Sequence, residues 1–412
     1  MARKTVKAKS KKTIEQKPRI TLASIIYWLT FAFVLFLPTQ LGKHFFMSFS
    51  YLSGVRIDYL APTLYLTDII VAALAILNHK IILKYIRRTE VIVLCLLFFI
   101  NALFALSPEV AAYRFVKILE LYFVYIVIKS SLLTKADLLW AFLLGGYVEL
   151  VLAVWQLIEN HSIQGLFYFL GERYMTLSTP DIAKATMNSA EFLRPYGTFS
   201  HPNSLAGFYL ALYIFVLTDP RFKAYRYLKY GFLFVSSALI LISFSKAAIF
   251  SFLILNVIFL LRNKDLTCNM CRYGRIIILT VLSSIFIYSH GDPFSISKRF
   301  DLTIDALAIF FSAPLTGVGL GNYVVAQLRF PIKQPYFFLQ PVHNIFLLFI
   351  TEAGLILGGF IIYYIYRFLK PRIRLEPVVY VVAAIALTGM LDHYWLTLQQ
   401  NWLLLPLIFA LL

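Results

Sequence analysis

Long unbroken apolar runs, set apart by short polar and basic segments, organise the whole of this chain. They fall near residues 20–38, 63–77, 91–106, 110–129, 138–158, 203–218, 230–244, 247–261, 275–290, 344–366, 377–391 and 395–412, twelve in all. A helix needs roughly 17–25 predominantly apolar residues to cross about 30 Å of hydrocarbon, and only helices or closed barrels satisfy every backbone group there. Uninterrupted runs of this kind predict helices rather than a barrel. The expected fold is all-α: a polytopic membrane protein with about 12 transmembrane helices.

Lys and Arg set the expected orientation. Segments 1–19, 78–90, 129–137, 219–229, 262–275 and 367–374 carry 8, 4, 2, 4, 4 and 4 of them, 26 of the 38 in the chain. Basic residues collect on the cytoplasmic side, so every second connection and both termini are expected inside. The outside then receives 39–62, 159–202 and 291–343, the last two far longer than common helix–helix connections. Both contain apolar stretches, Leu166–Leu170 and Phe300–Phe311, read as short helices lying along the outer membrane face over a cavity. The domain reading is a basic tail, 1–19, and one membrane domain, 20–412, whose long outer loops cover the site.

Composition agrees with this. Of 412 residues, 60% are hydrophobic and 14% charged, with a mean hydropathy of +0.77, against about 45–50% and about 25% in soluble domains. The tail has too little apolar content to fold alone and is expected against anionic headgroups, and the first run follows it without a short cleavable signal, so it should remain as an anchor. Cys95 lies within a predicted span, and Cys268 and Cys271 lie in a basic inner loop, which excludes a disulfide framework. The Cys268-x-x-Cys271 spacing is half of a zinc site. With no second ligand pair nearby, two free thiols are the preferred reading.

Charges inside apolar spans cost roughly 2.5–3.5 kcal/mol each and need a partner or a cavity. Arg114, Lys117 and Glu120 recur at i, i+3 and i+6 and share one side of the fourth run. Either Lys117 and Glu120 form an internal pair that locks helix packing, or the surplus Arg114 faces an anionic group in an outward cavity. The outer segments add Glu172, Arg173, Arg194, His201, Lys246, Lys298, Arg299 and His343, and no Asp-x-Asp cluster. Hard divalent metals want several oxygen ligands, so no metal or other cofactor is expected. Guanidinium groups match phosphate oxygens, and the implied ligand is a phosphate or pyrophosphate at the outer leaflet.

Residues Leu193-Arg194-Pro195-Tyr196-Gly197-Thr198-Phe199-Ser200-His201-Pro202-Asn203-Ser204-Leu205-Ala206 resemble the R-x-x-G-T-F-x-H-P-N-x-L-A signature of the O-antigen ligase and polymerase superfamily. Three further segments follow in that family's order: Ser243-Phe244-Ser245-Lys246, Pro314-Leu315-Thr316-Gly317-Val318-Gly319-Leu320-Gly321-Asn322, and His343-Asn344 with nine residues before Gly354. The resemblance spans about residues 190 to 366. It implies a GT-C-like membrane fold and an inverting, metal-independent glycosyltransferase. The donor would be a glycan on an undecaprenyl-diphosphate-type carrier, and the acceptor a hydroxyl of a glycan, lipid or protein, at the outer face of the cytoplasmic membrane. By the same resemblance His343 acts as base or positions the acceptor, Arg194 and Arg299 hold the diphosphate, and Lys246 takes a further basic position; Arg114 and Lys117 join this diphosphate-binding set on the charge reading of the fourth run. Asn344, Arg173 and Asp58 are candidate positioning residues, and Asp58 is the runner-up base. This chain departs from the pattern at Lys246, where arginine is usual, and at Leu357, where a small residue is expected.

His201 reads as structural beside Pro202, with Asn203 capping the sixth run. Gly317, Gly319 and Gly321 form either an anion-binding nest or a tightly packed turn, the second being preferred. A glycan ligase is the leading functional expectation. A polymerase using the same donor is the alternative, and a lipid-linked glycan flippase is the rival from another class. Membrane lipids are expected partners and nucleic acids are not.

Overall fold

The computed structural model describes residues 21–187, 190–262, 269–288, 294–329 and 339–412. The chain is mostly helical. Its helices are α1 (Leu22–Phe36), α2 (Leu66–Leu77), α3 (His79–Ile86), α4 (Thr89–Leu103), α5 (Pro108–Lys129), α6 (Lys135–Glu159), α7 (Pro202–Thr218), α8 (Arg226–Ile242), α9 (Lys246–Arg262), α10 (Asn269–Tyr288), α11 (Phe294–Ser312), α12 (Tyr323–Gln327), α13 (Ile345–Leu369), α14 (Glu376–Gly389), α15 (Tyr394–Thr397) and α16 (Gln399–Leu411). Twelve of these coincide with the twelve apolar runs; α3, α11, α12 and α15 are additional. The tail and Cys268 lie outside the described residues, as does the Cys271 side chain.

Among the described residues, two helices, α6 and α13, are long and apolar enough to cross a membrane by themselves. Two bent pairs also qualify when each is taken as one, α2 with α3 at 87° and α7 with residues 220–242 at 89°. Other runs fall short for visible reasons. At about 1.5 Å per residue, the 15 residues of α1 and of α4 and the 14 of α14 rise less than the hydrocarbon thickness. The 22-residue α5 carries Glu109, Arg114, Lys117, Glu120 and Lys129.

The wholly helical expectation needs one correction. Among the described residues there are three short antiparallel strand pairs: β1 (Gly42–His44) with β4 (Thr63–Tyr65), β2 (Tyr51–Leu52) with β3 (Val55–Arg56), and β5 (Lys184–Met187) with β6 (Ala190–Leu193). Strands this short hold too few residues for a period of two to be visible in the sequence. The β2–β3 turn is set by Ser53 and Gly54, both at positive φ (50° and 81°), the twist that a two-residue hairpin requires. The Leu166–Leu170 stretch does form a short 3-10 helix, Gly165–Leu170, and Phe300–Phe311 lies within α11.

The largest core is centred on α7, of which every residue is buried. A helix apolar on all sides belongs in the middle of a bundle, and α7 packs against α8, α9, α14 and α16. A second core joins α11 and α12 to the first turns of α13, with Leu302, Ala306, Tyr323, Val342 and Leu348 buried together.

α13 is broken at Gly354 (φ 67°, ψ 179°). The loop from Pro314 to Asn322 fills the break with its own backbone. Leu355 N donates to Pro314 O (2.9 Å) and Ile356 N to Leu315 O (3.1 Å), while Val318 N and Gly319 N donate to Thr351 O and Glu352 O (3.0 and 3.1 Å). Gly317 (φ 70°) and Gly354 lie so close that a Cβ on either would fall on the other's backbone. Gly317→Ala or Gly354→Ala should therefore destabilise the protein by about 1–3 kcal/mol from backbone conformation alone, with a steric cost added. Gly359→Ala, where a Cβ meets nothing within 4 Å, should leave thermal unfolding in detergent unchanged. Equal melting temperatures for all three variants would show that the break is not held by this glycine pair.

Candidate functional site

Helix ends bring the polar residues together. His343 immediately precedes α13, which Asn344 starts by accepting from Phe346 N and Leu347 N (both 3.0 Å). Asp392 and His393 occupy the turn between α14 and α15. The amino end of α7 supplies His201, Pro202 and Asn203. His201 is the cap, its Nδ1 accepting from Asn203 N at 3.1 Å, with Pro202 in the first-turn position that proline favours. This reverses the capping expectation: the Asn203 side chain points elsewhere, and its amide joins the site.

Asp392 is the hub. Its Oδ2 accepts from Asn203 Nδ2 (2.8 Å) and its Oδ1 from His393 N (2.8 Å). His343 Nδ1 stands 3.5 Å from Asp392 Oδ1, a distance of electrostatic contact rather than of a good hydrogen bond. The His343 and His393 rings lie 5.1 Å apart, tilted by 49°. The ring nitrogens are held from behind, His343 Nε2 beside Gln340 Oε1 (3.3 Å) and His393 Nδ1 beside Thr397 Oγ1 (2.8 Å). Tyr59 packs edge-on against His393 at 5.7 Å.

Cations surround this hub. Arg194 leaves the end of β6, donating from Nη2 to Asn203 Oδ1 (2.7 Å) and from Nε to Ser243 O (2.9 Å). The Arg194 motif and the Ser243-Phe244-Ser245-Lys246 motif are thus physically joined. Arg299 Nη1 donates to Leu391 O (3.1 Å), beside Asp392. Arg114 Nη2 approaches Tyr59 O at 3.4 Å, and so touches the site through Tyr59.

Burial works against ionisation of Asp392, yet His343 beside it holds the carboxyl well below the ordinary carboxylate range. Burial pushes His201 and His393 down to about 3 each, against the pull of Asp392, so both rings are neutral near pH 7. It also lowers Arg194, to about 10, which leaves the guanidinium charged. The site is therefore a carboxylate facing the neutral imidazoles of His201 and His393, flanked by guanidinium groups.

The remaining sequence candidates fall elsewhere. Lys117 is engaged by two carboxylates, Asp68 (2.6 Å) and Glu120 (3.2 Å), and Gln399 bridges Asp68 on the far side (2.5 Å). Asp58 pairs with Arg56 at 3.3 Å on the surface. Lys246, the first residue of α9, and Arg173 are exposed. The glycine loop does form a nest, but its anion is internal. Gly321 N and Tyr323 N donate to the Glu352 carboxylate (2.8 and 3.3 Å), so both readings of the loop hold at once.

Sequence reasoning missed Asp392 and His393. The signal was present: Asp392 and His393 are the sole Asp, Glu, Lys, Arg or His residues between Pro377 and Leu412, where a charge is costly unless used. No metal site was expected, yet His343, Asp392 and His393 each offer a ligand atom, all within 4.8 Å of one another. Comparison with protein-family models and with curated proteins returned no match.

The neutral burial of His201 predicts a pH effect. The ring faces Asp392, Arg194, His343 and His393, and on unfolding it returns to a pKa near 6.5. Its stabilising contribution is complete above about pH 6.5 and is lost as pH falls toward about 3, because the unfolded chain takes up the proton first. The melting temperature in detergent should fall between about pH 7.5 and 5. His201→Asn, which keeps a cap acceptor, should flatten that fall; identical slopes in both proteins would refute the assignment.

Proposed function

We propose that the protein is a polytopic transferase of the cytoplasmic membrane that moves a glycan from a polyprenyl diphosphate to an acceptor hydroxyl. The observation that carries this reading is the pairing of His343 with Asp392 beneath Arg194 and Arg299. Three of the motifs that resemble the O-antigen ligase and polymerase superfamily supply groups at or beside this hub: Arg194 and Asn203, Ser243, and His343. The fourth, the glycine loop, packs into the break of the helix that His343 precedes.

The topology supports it too. Twelve helices coincide with the apolar runs, and 26 of 38 Lys and Arg fall in alternate connections. If those connections face the cytoplasm, all site residues lie at the opposite end of the bundle. Helices shorter than the bilayer are accommodated by local thinning and by the outer strand pairs and α11, at a modest cost per ångström.

The chemistry follows from the geometry. Asp392 orients His343 through Nδ1–H, and Nε2, once the substrate displaces the Gln340 amide that stands 3.3 Å from it, takes the proton as the acceptor oxygen attacks the anomeric carbon. The carbon–oxygen bond to the diphosphate breaks, and the leaving group departs with its charge met by Arg194 and Arg299. The 3.5 Å contact between His343 and Asp392 is expected to shorten when substrate closes the site. Of five N–H donors on Arg194, the protein engages two in the bonds described, which holds the side chain while others face the donor. Asn344 acts through helix geometry, as the cap that fixes where His343 stands.

Purified protein in detergent, given lipid-linked glycan and candidate acceptors, should form a new glycosidic bond. His343→Ala should lower turnover by about 10²–10⁴-fold. Arg194→Lys retains charge but loses the planar fork, and should lower turnover by about tenfold or more with normal expression. Products consisting only of lengthened carrier-linked chains would assign the polymerase reaction. Failure to transfer to any acceptor would refute the enzyme reading.

A further inference from the structure

His343, Asp392 and His393 form a second kind of device in the same place. We propose that these three residues bind a zinc-class divalent cation, and that an ion there inhibits transfer by occupying the His343 ring. The inhibitory half rests on the transferase reading; the binding half does not.

The distances fit an ion. Zinc bonds nitrogen and carboxylate oxygen at about 2.0–2.1 Å, so two ligands on a tetrahedral centre stand about 3.3–3.4 Å apart. His343 Nδ1 and Asp392 Oδ1 stand 3.5 Å apart, long for a hydrogen bond but close to that edge. His343 Nδ1 is buried and has no hydrogen-bond partner among the described residues. The ligand atoms of all three residues lie within 4.8 Å, and modest side-chain rotation closes the remaining gap.

The surrounding bonds are those that metal ligands require. Metal-binding imidazoles and carboxylates are normally oriented by a hydrogen bond on their other polar atom. Here Asn203 Nδ2 holds Asp392 Oδ2 (2.8 Å), Thr397 Oγ1 meets His393 Nδ1 (2.8 Å), and Gln340 Oε1 meets His343 Nε2 (3.3 Å). The atoms left to face an ion are His343 Nδ1, His393 Nε2 and the second lone pair of Asp392 Oδ1, whose first accepts from His393 N (2.8 Å). Two imidazoles and one carboxylate select zinc and its borderline neighbours over magnesium and calcium, which prefer all-oxygen shells. Three protein ligands leave the fourth tetrahedral position to water, as in open zinc sites. Arg194 and Arg299 nearby oppose added positive charge, so the ion exchanges rather than serving as a permanent structural centre.

An ion on Nδ1 displaces the proton that this nitrogen directs at Asp392. It also removes Asp392 as the orienting partner, because the same Oδ1 becomes a ligand. The ring is then no longer free to accept a proton with Asp392 behind it.

The test uses the full chain carrying Cys268→Ser and Cys271→Ser, so that thiolates do not compete, stripped with a chelator and titrated with zinc chloride. We expect one ion per chain, X-ray absorption showing nitrogen and oxygen neighbours at about 2.0–2.1 Å, and no binding of magnesium. His393→Gln and Asp392→Asn should each weaken zinc binding by about tenfold or more. Turnover should fall in proportion to occupancy and return on adding chelator. Absence of stoichiometric zinc binding, or binding that both variants leave unchanged, would overturn the site. Zinc bound as expected with turnover unaffected would overturn the inhibition, and zinc bound in a protein with no transfer activity would sink the transferase reading while leaving the site standing.

Discussion

A carboxylate placed among apolar helices must be surrounded by donors, and the rest of the site depends on how Asp392 meets that requirement. Its partners come from three separated places: Asn203 on α7, His343 ahead of α13, and the backbone of His393 at the start of α15. None of these elements can shift without leaving a buried charge unpaired, which is far costlier than losing a surface contact. The carboxylate therefore fixes the mutual positions of α7, α13 and the α14–α15 turn. It does so where Arg194 and Arg299 approach from β6 and α11.

The same physical demand recurs at two further buried carboxylates. Glu149 on α6 is met by Thr198 N (2.9 Å) and Thr198 Oγ1 (2.5 Å). With Gln156, which bonds Tyr196 N, Gly197 N and Gly197 O, it clamps the turn that follows Arg194. Glu352 is met by Gly321 N and Tyr323 N, and so ties the glycine loop to the break in α13. Asn101 completes that tie, its amide reaching Thr316 O, Glu352 O and Leu320 N (3.0, 3.1 and 3.0 Å). Motif positions that look like ligand contacts in the sequence thus divide into two kinds. Some present side chains at the hub, and others are backbone supports held by an acidic residue from a neighbouring helix.

Cations divide in the same way. Lys117 spends its charge on Asp68 and Glu120 within the bundle, while Arg194 and Arg299 use part of theirs on main-chain carbonyls at the hub. A planar guanidinium has donors enough to anchor to the protein and still address a ligand, whereas an ammonium caught between two carboxylates does not.

What the sequence determined by itself was where the twelve helices lie along the chain, and two of the stretches, around Arg194–Asn203 and at His343, whose side chains meet at the hub. Each is a property of contiguous residues: apolar run length, or a motif written in one stretch. Tertiary structure alone decided which residues meet. Asp392 and His393 lie about 190 residues from Asn203 and about 50 from His343, and no local pattern announces that a two-residue turn becomes the hub. The short strand pairs and the filling of the glycine nest by Glu352 were hidden for the same reason. Hydrophobic periodicity records which side of an element is buried, but the partner that satisfies a buried polar group is chosen by packing between elements distant in the chain.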